Sequence, residues 1–141
     1  MGAETGPERE CGCGQRGCLE SIASAAAVGR RYSEQAGHQA SAEEVARLAG
    51  TGDPVAVAVW RETIDALADG LMTGIALFDP AVIVLGGGLA EAGEALLAPL
   101  REGVHARVTF HREPTITRAA LGDEAGCLGA ALLALDLRSV Q

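Results

Sequence analysis

Apolar residues in this chain change their spacing several times, and each change marks an element. From Cys18 onward Leu19, Ile22, Ala25/Ala26 and Gly29 return every three or four residues, the period of one helix face, so a single helix is expected there. Ser41-Ala42-Glu43-Glu44 has the form of a capping box and opens a short helix, which Gly50-Thr51-Gly52 should end. Asp53-Pro54 places a side-chain acceptor just before a residue suited to the first helical position. Behind it Ile64, Leu67, Leu71, Ile75 and Phe78 form one stripe, predicting a long helix buried along that side. Trp60 reads as core packing on this helix. Gly70 and Gly74, four apart, mark a close approach, more naturally by a neighbouring helix than by a nucleotide.

The pattern then shortens. Val82-Ile83-Val84-Leu85 is an unbroken β-branched and aliphatic run, which predicts a strand buried on both faces. Gly86-Gly87-Gly88 follows, and a helix is expected from about Ala90 to Glu102. Residues 104–113, with His105, Arg107, His111 and Arg112, read as a solvated connection with no assigned role. Thr115-Ile116-Thr117, continuing to Leu121, predicts a second strand parallel to the first across a right-handed crossover. Leu128 to Leu137 closes the pattern as an apolar helix, with Cys127 expected as a small buried residue. Residues 1–17, rich in Gly and Pro, are expected to be irregular. The expected class is α/β: helix-rich, with one short parallel β-α-β.

Bulk properties narrow the function classes. The 141 residues amount to one domain's worth of chain, and 48 % of them are apolar with few aromatics, so Ala, Leu and Val must fill the core. No apolar run approaches the roughly 18 residues of a membrane helix. The first residues lack the basic and then apolar regions of a signal peptide, so the expected compartment is the cytoplasm, where thiols stay reduced. Net charge is −8 and there is no lysine at all. The clustered basic footprint of a nucleic-acid binder is therefore missing.

The candidate chemistry is concentrated in Cys11-Gly12-Cys13-Gly14-Gln15-Arg16-Gly17-Cys18-Leu19-Glu20. Three thiols in eight residues, spaced C-x-C-x4-C with glycines that allow tight turns, suit three positions of a tetrahedral zinc site. A disulfide pair with one thiol left over, or three unrelated buried cysteines, are the alternatives. Glu20 falls in the first turn of the helix that follows, where a carboxylate complements the helix dipole. The strand, Gly86–Gly88 turn and helix form the arrangement in which backbone approaches a ligand at the carboxyl edge of a sheet. It misses the dinucleotide fingerprint, since Glu91 stands where the third glycine would be, and it misses the Walker pattern for want of lysine. A tight connection without any ligand fits the bare motif too.

Cys-Gly-Cys-Gly-x-x-Gly-Cys-x-Glu resembles the zinc motif of the ROK family of bacterial sugar kinases, sugar-responsive repressors and open reading frames. Asp79 to Leu89 resembles that family's nucleotide-binding strand and glycine turn, and Ala120 to Ala131 its closing strand and C-terminal helix. The resemblance implies the C-terminal half of an actin-like (ribonuclease H-like) sugar kinase fold, a single partial domain over residues 1–141. Within it the zinc motif would occupy 11–20, a helical segment 18–78, and a nucleotide-side β-α-β with its C-terminal helix 80–138. Cys11, Cys13 and Cys18 would hold structural zinc, Glu20 would accept hydrogen bonds from sugar hydroxyls, and Gly86, Gly87 and Gly88 would lie against the adenosine and phosphates of ATP, which acts with magnesium. The family's fourth zinc ligand is a histidine about ten residues before the first cysteine, a position that falls on Met1 here. His38, His105 and His111 match no family position.

The family's catalytic segment has the form Asn-Asp-x-Asn, its Asp being the general base, and this sequence contains no asparagine. Its first phosphate loop, Asp-x-Gly-x-Thr, is missing as well. The resemblance therefore implies part of an ATP-dependent hexose kinase, glucokinase being the first candidate, inactive by itself and a homodimer in full-length form. Partners would be a hexose and ATP, with no nucleic acid and no membrane. A sugar-sensing domain of a ROK repressor, lacking its DNA-binding module, is the alternative from another class; a purely structural zinc fragment is a third.

Overall fold

The structure, a computed structural model, describes residues 10–138. Its elements run α1 (Glu20–Ala23), α2 (Ala25–Ala36), α3 (Ala42–Gly50), α4 (Pro54–Phe78), β1 (Val82–Leu85), a 3-10 turn (Gly88–Ala92), α5 (Glu94–His105), β2 (Thr115–Arg118), a second 3-10 turn (Gly122–Glu124) and α6 (Ala125–Arg138). The two strands pair in parallel, Val82 opposite Thr115 and Leu85 opposite Arg118. The α/β class and its short parallel β-α-β are as the sequence predicts.

The spine is α4. Asp53 accepts a hydrogen bond from the Ala56 N–H at 2.8 Å and Pro54 fills the first helical position, so the start is built as expected. The first half of α4 packs Val59, Trp60 and Ile64 against Val28 and Tyr32 of α2, Val45 of α3 and Leu96 of α5. Its second half packs Ala68 and Ile75 against Leu97, Leu100 and Val104 of α5 and Ile116 of β2. Trp60 is core, with its indole N–H donating to the Ala95 carbonyl at 3.0 Å. Ser41 caps α3 by accepting from the Glu44 N–H at 3.1 Å. Gly70 is a close approach, as expected, since a Cβ there would meet Leu19 Cδ2 at 2.8 Å; a Cβ at Gly74 would meet open space.

Several expectations are corrected. The helix expected from Cys18 is two helices: Ser24 adopts an extended conformation and caps α2, accepting from the Ala27 N–H at 3.1 Å. A serine followed by good helix formers restarts the helix, and an apolar period does not register that break. The helix expected from Ala90 begins at Glu94, because Gly93 (φ +59°) separates it from the preceding 3-10 turn. It ends later too, at His105, so Val104 is fully buried rather than part of a solvated connection. The second strand stops at Arg118 instead of Leu121.

The strand expected to be buried on both faces is covered on one. Ile83 packs against the second core cluster, whereas Val82 is 53 % and Val84 60 % exposed. Phe78, placed on the buried stripe of α4, is 79 % exposed. Cys127 is exposed rather than buried, because every described residue of α6 whose burial is known lies on the surface. Parallel strands of this composition are normally covered on both sides, and here only one side has its layer.

On the surface beyond α5, the His105 imidazole lies 3.0 Å from Glu113 Oε2, and the carboxylate's hydrogen bond and charge raise the histidine's pKa. The pair therefore stabilises the fold below the unfolded histidine's value near 6.5 and loses that contribution as pH rises through the raised folded value. Glu113→Gln is expected to lower the His105 midpoint, read by proton NMR of the ring; an unmoved midpoint would contradict the pairing.

Candidate functional site

A short closed loop carries the three thiols. Glu10 and Arg16 bridge in antiparallel fashion and pair their side chains at 3.3 Å, while the Cys11 N–H donates to the Gln15 carbonyl and the Gly14 N–H to the Cys11 carbonyl. Gly14 (φ +85°) and Gly17 (φ +74°) take left-handed conformations that an L side chain would resist. These turns fold the loop back so that the Sγ atoms of Cys11, Cys13 and Cys18 all lie within 4.8 Å of one another, the last two 3.5 Å apart. All three are free thiols.

That spacing fits zinc. Four sulfur ligands at about 2.3 Å in a tetrahedron stand about 3.8 Å from each other, inside the range the loop holds. A disulfide needs sulfurs at about 2.05 Å, so the pairing alternative is not what this arrangement presents. Among the described residues no fourth His, Cys, Asp or Glu joins the group. Met1, where the family's histidine would fall, lies outside the described residues.

The thiols influence one another. Cys13 has its pKa lowered by the Gln15 backbone and by hydrogen bonds from the Cys11 and Cys18 thiols, whereas Cys18, donating to those neighbours, is pushed up to about 11. The hydrogen bonds between the thiols thus favour loss of the proton from Cys13 and oppose its loss from Cys18. Metal binding must displace those protons, so its affinity rises with pH.

From Cys18 the chain turns directly into α1, and Glu20 is that helix's first residue. Three contacts fix where it points. Ser21 Oγ donates to the Cys18 carbonyl at 2.6 Å, Leu19 fills the notch left by Gly70 on α4, and Arg31 Nη1 donates to the Ile22 carbonyl at 3.0 Å. The Glu20 carboxylate is exposed and stands 3.9 Å from Cys11 Sγ, at the edge of the thiol cluster. It lines none of three surface grooves, the broadest of which, about 860 Å³, runs between α2 and α3 past Gly29, Arg30, Ser33 and Ser41.

Arg31 is a positioning residue that sequence reasoning missed. Its side chain is fully buried, where it donates to the Ile22 carbonyl, to Thr63 Oγ1 at 3.2 Å and to Glu62. It thereby joins the end of α1 to the middle of α4. Its one visible signal was its place in line with Val28 and Tyr32, an arginine on an otherwise apolar face.

The glycine turn stands at the carboxyl edge of both strands. Gly87 (φ +81°) makes the bend, and a Cβ added there would meet open space. A Cβ at Gly88 would touch Ala25 Cβ at 3.4 Å, so the turn rests on the start of α2, one residue past the Ser24 cap. Ala119 N–H donates to the Leu85 carbonyl at 2.7 Å, and Arg118 pairs with Glu91 at 2.5 Å, drawing the end of β2 to the same place. All three glycines are exposed. The arrangement brings the thiol loop with Glu20 and the glycine turn to either end of the short α1–Ser24–α2 connection.

The sequence profile of the ROK family matches residues 3–137. Among curated proteins, the glucokinase of Thermotoga maritima is 35 % identical over 138 residues, covering 86 % of this chain and 43 % of that protein. An N-acetyl-D-glucosamine kinase of Yersinia pseudotuberculosis is 35 % identical over 136 residues, covering 96 % of this chain and 44 % of that protein. Among solved structures, a ROK hexokinase from Thermus thermophilus superposes with a TM-score of 0.79 at 36 % identity, covering 94 % of this chain and 45 % of that one. A ROK glucokinase from Streptomyces griseus, in complex with glucose and AMPPNP, gives 0.74 at 31 % identity over 88 % of this chain and 46 % of that one. A ROK transcriptional regulator, a homolog of the E. coli MLC protein, gives 0.64 at 26 % identity, covering 82 % of this chain and 32 % of that one. The chain thus spans less than half the length of the kinases it matches.

Proposed function

Because this chain belongs to the ROK family, we propose that it forms the carboxyl-terminal part of an ATP-dependent sugar kinase of that family, with glucose the first candidate hexose. The observation that carries the reading is the convergence of Cys11, Cys13 and Cys18 immediately before the helix that Glu20 opens. In this proposal the three thiolates hold a structural zinc ion, which ties the loop and supplies no chemistry to the sugar. Glu20 accepts hydrogen bonds from hexose hydroxyls, a task for which a carboxylate fixed at a helix start is prepared. The backbone of Gly86, Gly87 and Gly88 borders the nucleotide, whose close approach requires the absence of side chains there.

Phosphoryl transfer depends mainly on positioning and electrostatics, with a base to orient the attacking hydroxyl and magnesium to offset the phosphate charge. These residues include no segment of the Asn-Asp-x-Asn form, so the 141 residues alone are expected to show no sugar-dependent ATP turnover. We place the working protein in the cytoplasm, as a homodimer. Similarity to both glucokinase and N-acetylglucosamine kinase leaves the sugar's 2-substituent to be read elsewhere. The second reading, a sugar-sensing domain of a ROK repressor, draws on the likeness to the MLC homolog. The open bend at Gly87 favours the kinase.

The test is ligand-observed NMR with glucose and N-acetylglucosamine. Saturation transfer to the sugar is expected with the zinc-loaded chain and is expected to fall at least about tenfold in Glu20→Gln, the usual scale for a lost hydrogen bond to a charged group. Equal transfer in both would remove Glu20 from the sugar site.

A further inference from the structure

The three thiols of the loop stand in different surroundings. Cys13 is exposed, and its Sγ lies 3.5 Å from that of Cys18. Cys11 Sγ, within 4.8 Å of both, stands 3.9 Å from the Glu20 carboxylate, and the Cys11 N–H is held to the Gln15 carbonyl at 2.8 Å. Between Cys13 and Cys18 the chain is Gly14-Gln15-Arg16-Gly17, whose glycines take left-handed conformations at φ +85° and +74°. A Cβ added at Gly12, Gly14 or Gly17 would meet no atom within 4 Å, so this backbone has free space around it. The Cys18 end is fastened. Its carbonyl receives Ser21 Oγ at 2.6 Å and the Ser21 N–H at 2.9 Å, while Leu19 fills the notch at Gly70 on α4. Carrying the two sulfurs from 3.5 Å to the roughly 2.05 Å of a disulfide takes about 1.5 Å, which the loop has room to supply without moving α1.

We propose that Cys13 and Cys18 are a redox pair, closed to a disulfide by a hydroperoxide and reopened by a dithiol, with the metal held only while the pair is open. The exposed Cys13 sulfur attacks one oxygen of hydrogen peroxide and the O–O bond breaks, leaving a sulfenic acid on Cys13 and releasing water. The Cys18 sulfur then attacks the Cys13 sulfur. The S–S bond forms, the S–O bond breaks, and the oxygen leaves as a second water with the Cys18 proton. Two thiols give up two electrons and two protons, and the peroxide takes them. Starting from the zinc-loaded loop, the two protons come from solvent and zinc leaves as the free cation.

Thiolate is the metal-binding form of cysteine, so closing the pair withdraws two of the loop's three sulfurs at once. Cys11 stays beside Glu20, and the two are too few donors for a tetrahedral site. Release of the metal unties the loop in front of Glu20, while Ser21 and Leu19 keep α1 seated. Exposed disulfides are among the readily reduced ones, and those that form in a reducing compartment are usually transient and redox-sensing. The pair rests on the thiol geometry alone; the release of metal rests on the zinc reading above.

The experiment treats the Cys127→Ser chain, zinc-loaded and metal-free, with increasing hydrogen peroxide. Cys127 stands apart from the cluster, and replacing it leaves only the three loop thiols to react. Intact mass, a map of linked peptides and zinc release to a chromophoric chelator are read together. A mass lower by two hydrogen atoms and a Cys13–Cys18 linkage are expected in both forms, with one zinc released per disulfide formed. A dithiol is expected to restore both the mass and the metal binding. Cys11→Ser is expected to keep the disulfide in the metal-free form, and Cys13→Ser to lower its yield at least tenfold. Thiols left untouched or oxidised singly to sulfinic acids, a linkage made chiefly through Cys11, or a disulfide that leaves zinc bound would each overturn the proposal. A chain that never held zinc would sink the zinc reading instead, and the linkage in the metal-free sample would still decide whether the pair exists.

Discussion

Cys18→Ser is expected to abolish stoichiometric zinc retention by the purified chain. Structural zinc in four-ligand peptide sites is worth roughly 10–16 kcal/mol, or about 3 kcal/mol per ligand. Losing one sulfur is therefore expected to weaken binding on the order of 100-fold, since each 1.4 kcal/mol is about tenfold. Cys18→Ser removes a sulfur that stands 3.5 Å from that of Cys13 and keeps the backbone carbonyl that receives Ser21 Oγ, so the loss reads on the ligand and not on the start of α1. Cys127→Ser is the control, because Cys127 stands apart from the cluster and is expected to retain the full metal content. Competition against a chromophoric chelator measures both. Equal affinity in Cys18→Ser and the native chain would mean that this sulfur is no ligand.

Arg31→Ala is expected to destabilise the fold by about 3 kcal/mol, the sum of a buried cavity and of hydrogen bonds lost to the Ile22 carbonyl and Thr63. Glu62 is half-exposed and can turn to water, so its side of the ion pair adds little to the loss. Arg31→Met separates packing from tethering. Methionine refills much of the volume and is expected to recover more than half of the stability, measured by urea unfolding. It cannot donate to the Ile22 carbonyl, so α1 is expected to stay loose. Amide exchange at Ile22 and Ala23 would be faster in both variants than in the native chain. Were stability recovered and exchange at α1 unchanged, Arg31 would be filler and not a tether.

What could be read from the residues alone was local chemistry. Ser41, Asp53-Pro54 and Gly14 and Gly17 of the thiol loop each state a backbone requirement within three or four residues, and the structure meets them. The strand and its parallel partner were legible because β-branched runs have few other uses. The break at Ser24 was not, since a helix that stops and restarts preserves its apolar period. The exposure of Val82 and Val84 was hidden for a different reason: a β-branched run of this kind reads as a strand covered on both faces, and only the Ile83 face is packed here. Arg31 was illegible because burying an arginine is favourable only when the carbonyl and hydroxyl it will meet are already placed, and those come from α1 and α4. The thiol cluster was legible as a ligand set, while its proximity to Glu20 needed the loop's left-handed turns to be seen in three dimensions.

The most direct test of this account is X-ray absorption at the zinc edge on the purified, zinc-loaded chain. Three sulfur scatterers at about 2.3 Å and one lighter donor are expected, and Cys18→Ser is expected to show two sulfurs at most. A shell of nitrogen and oxygen alone, or an unchanged sulfur count in the variant, would contradict the claim that these cysteines tie the loop that aims Glu20.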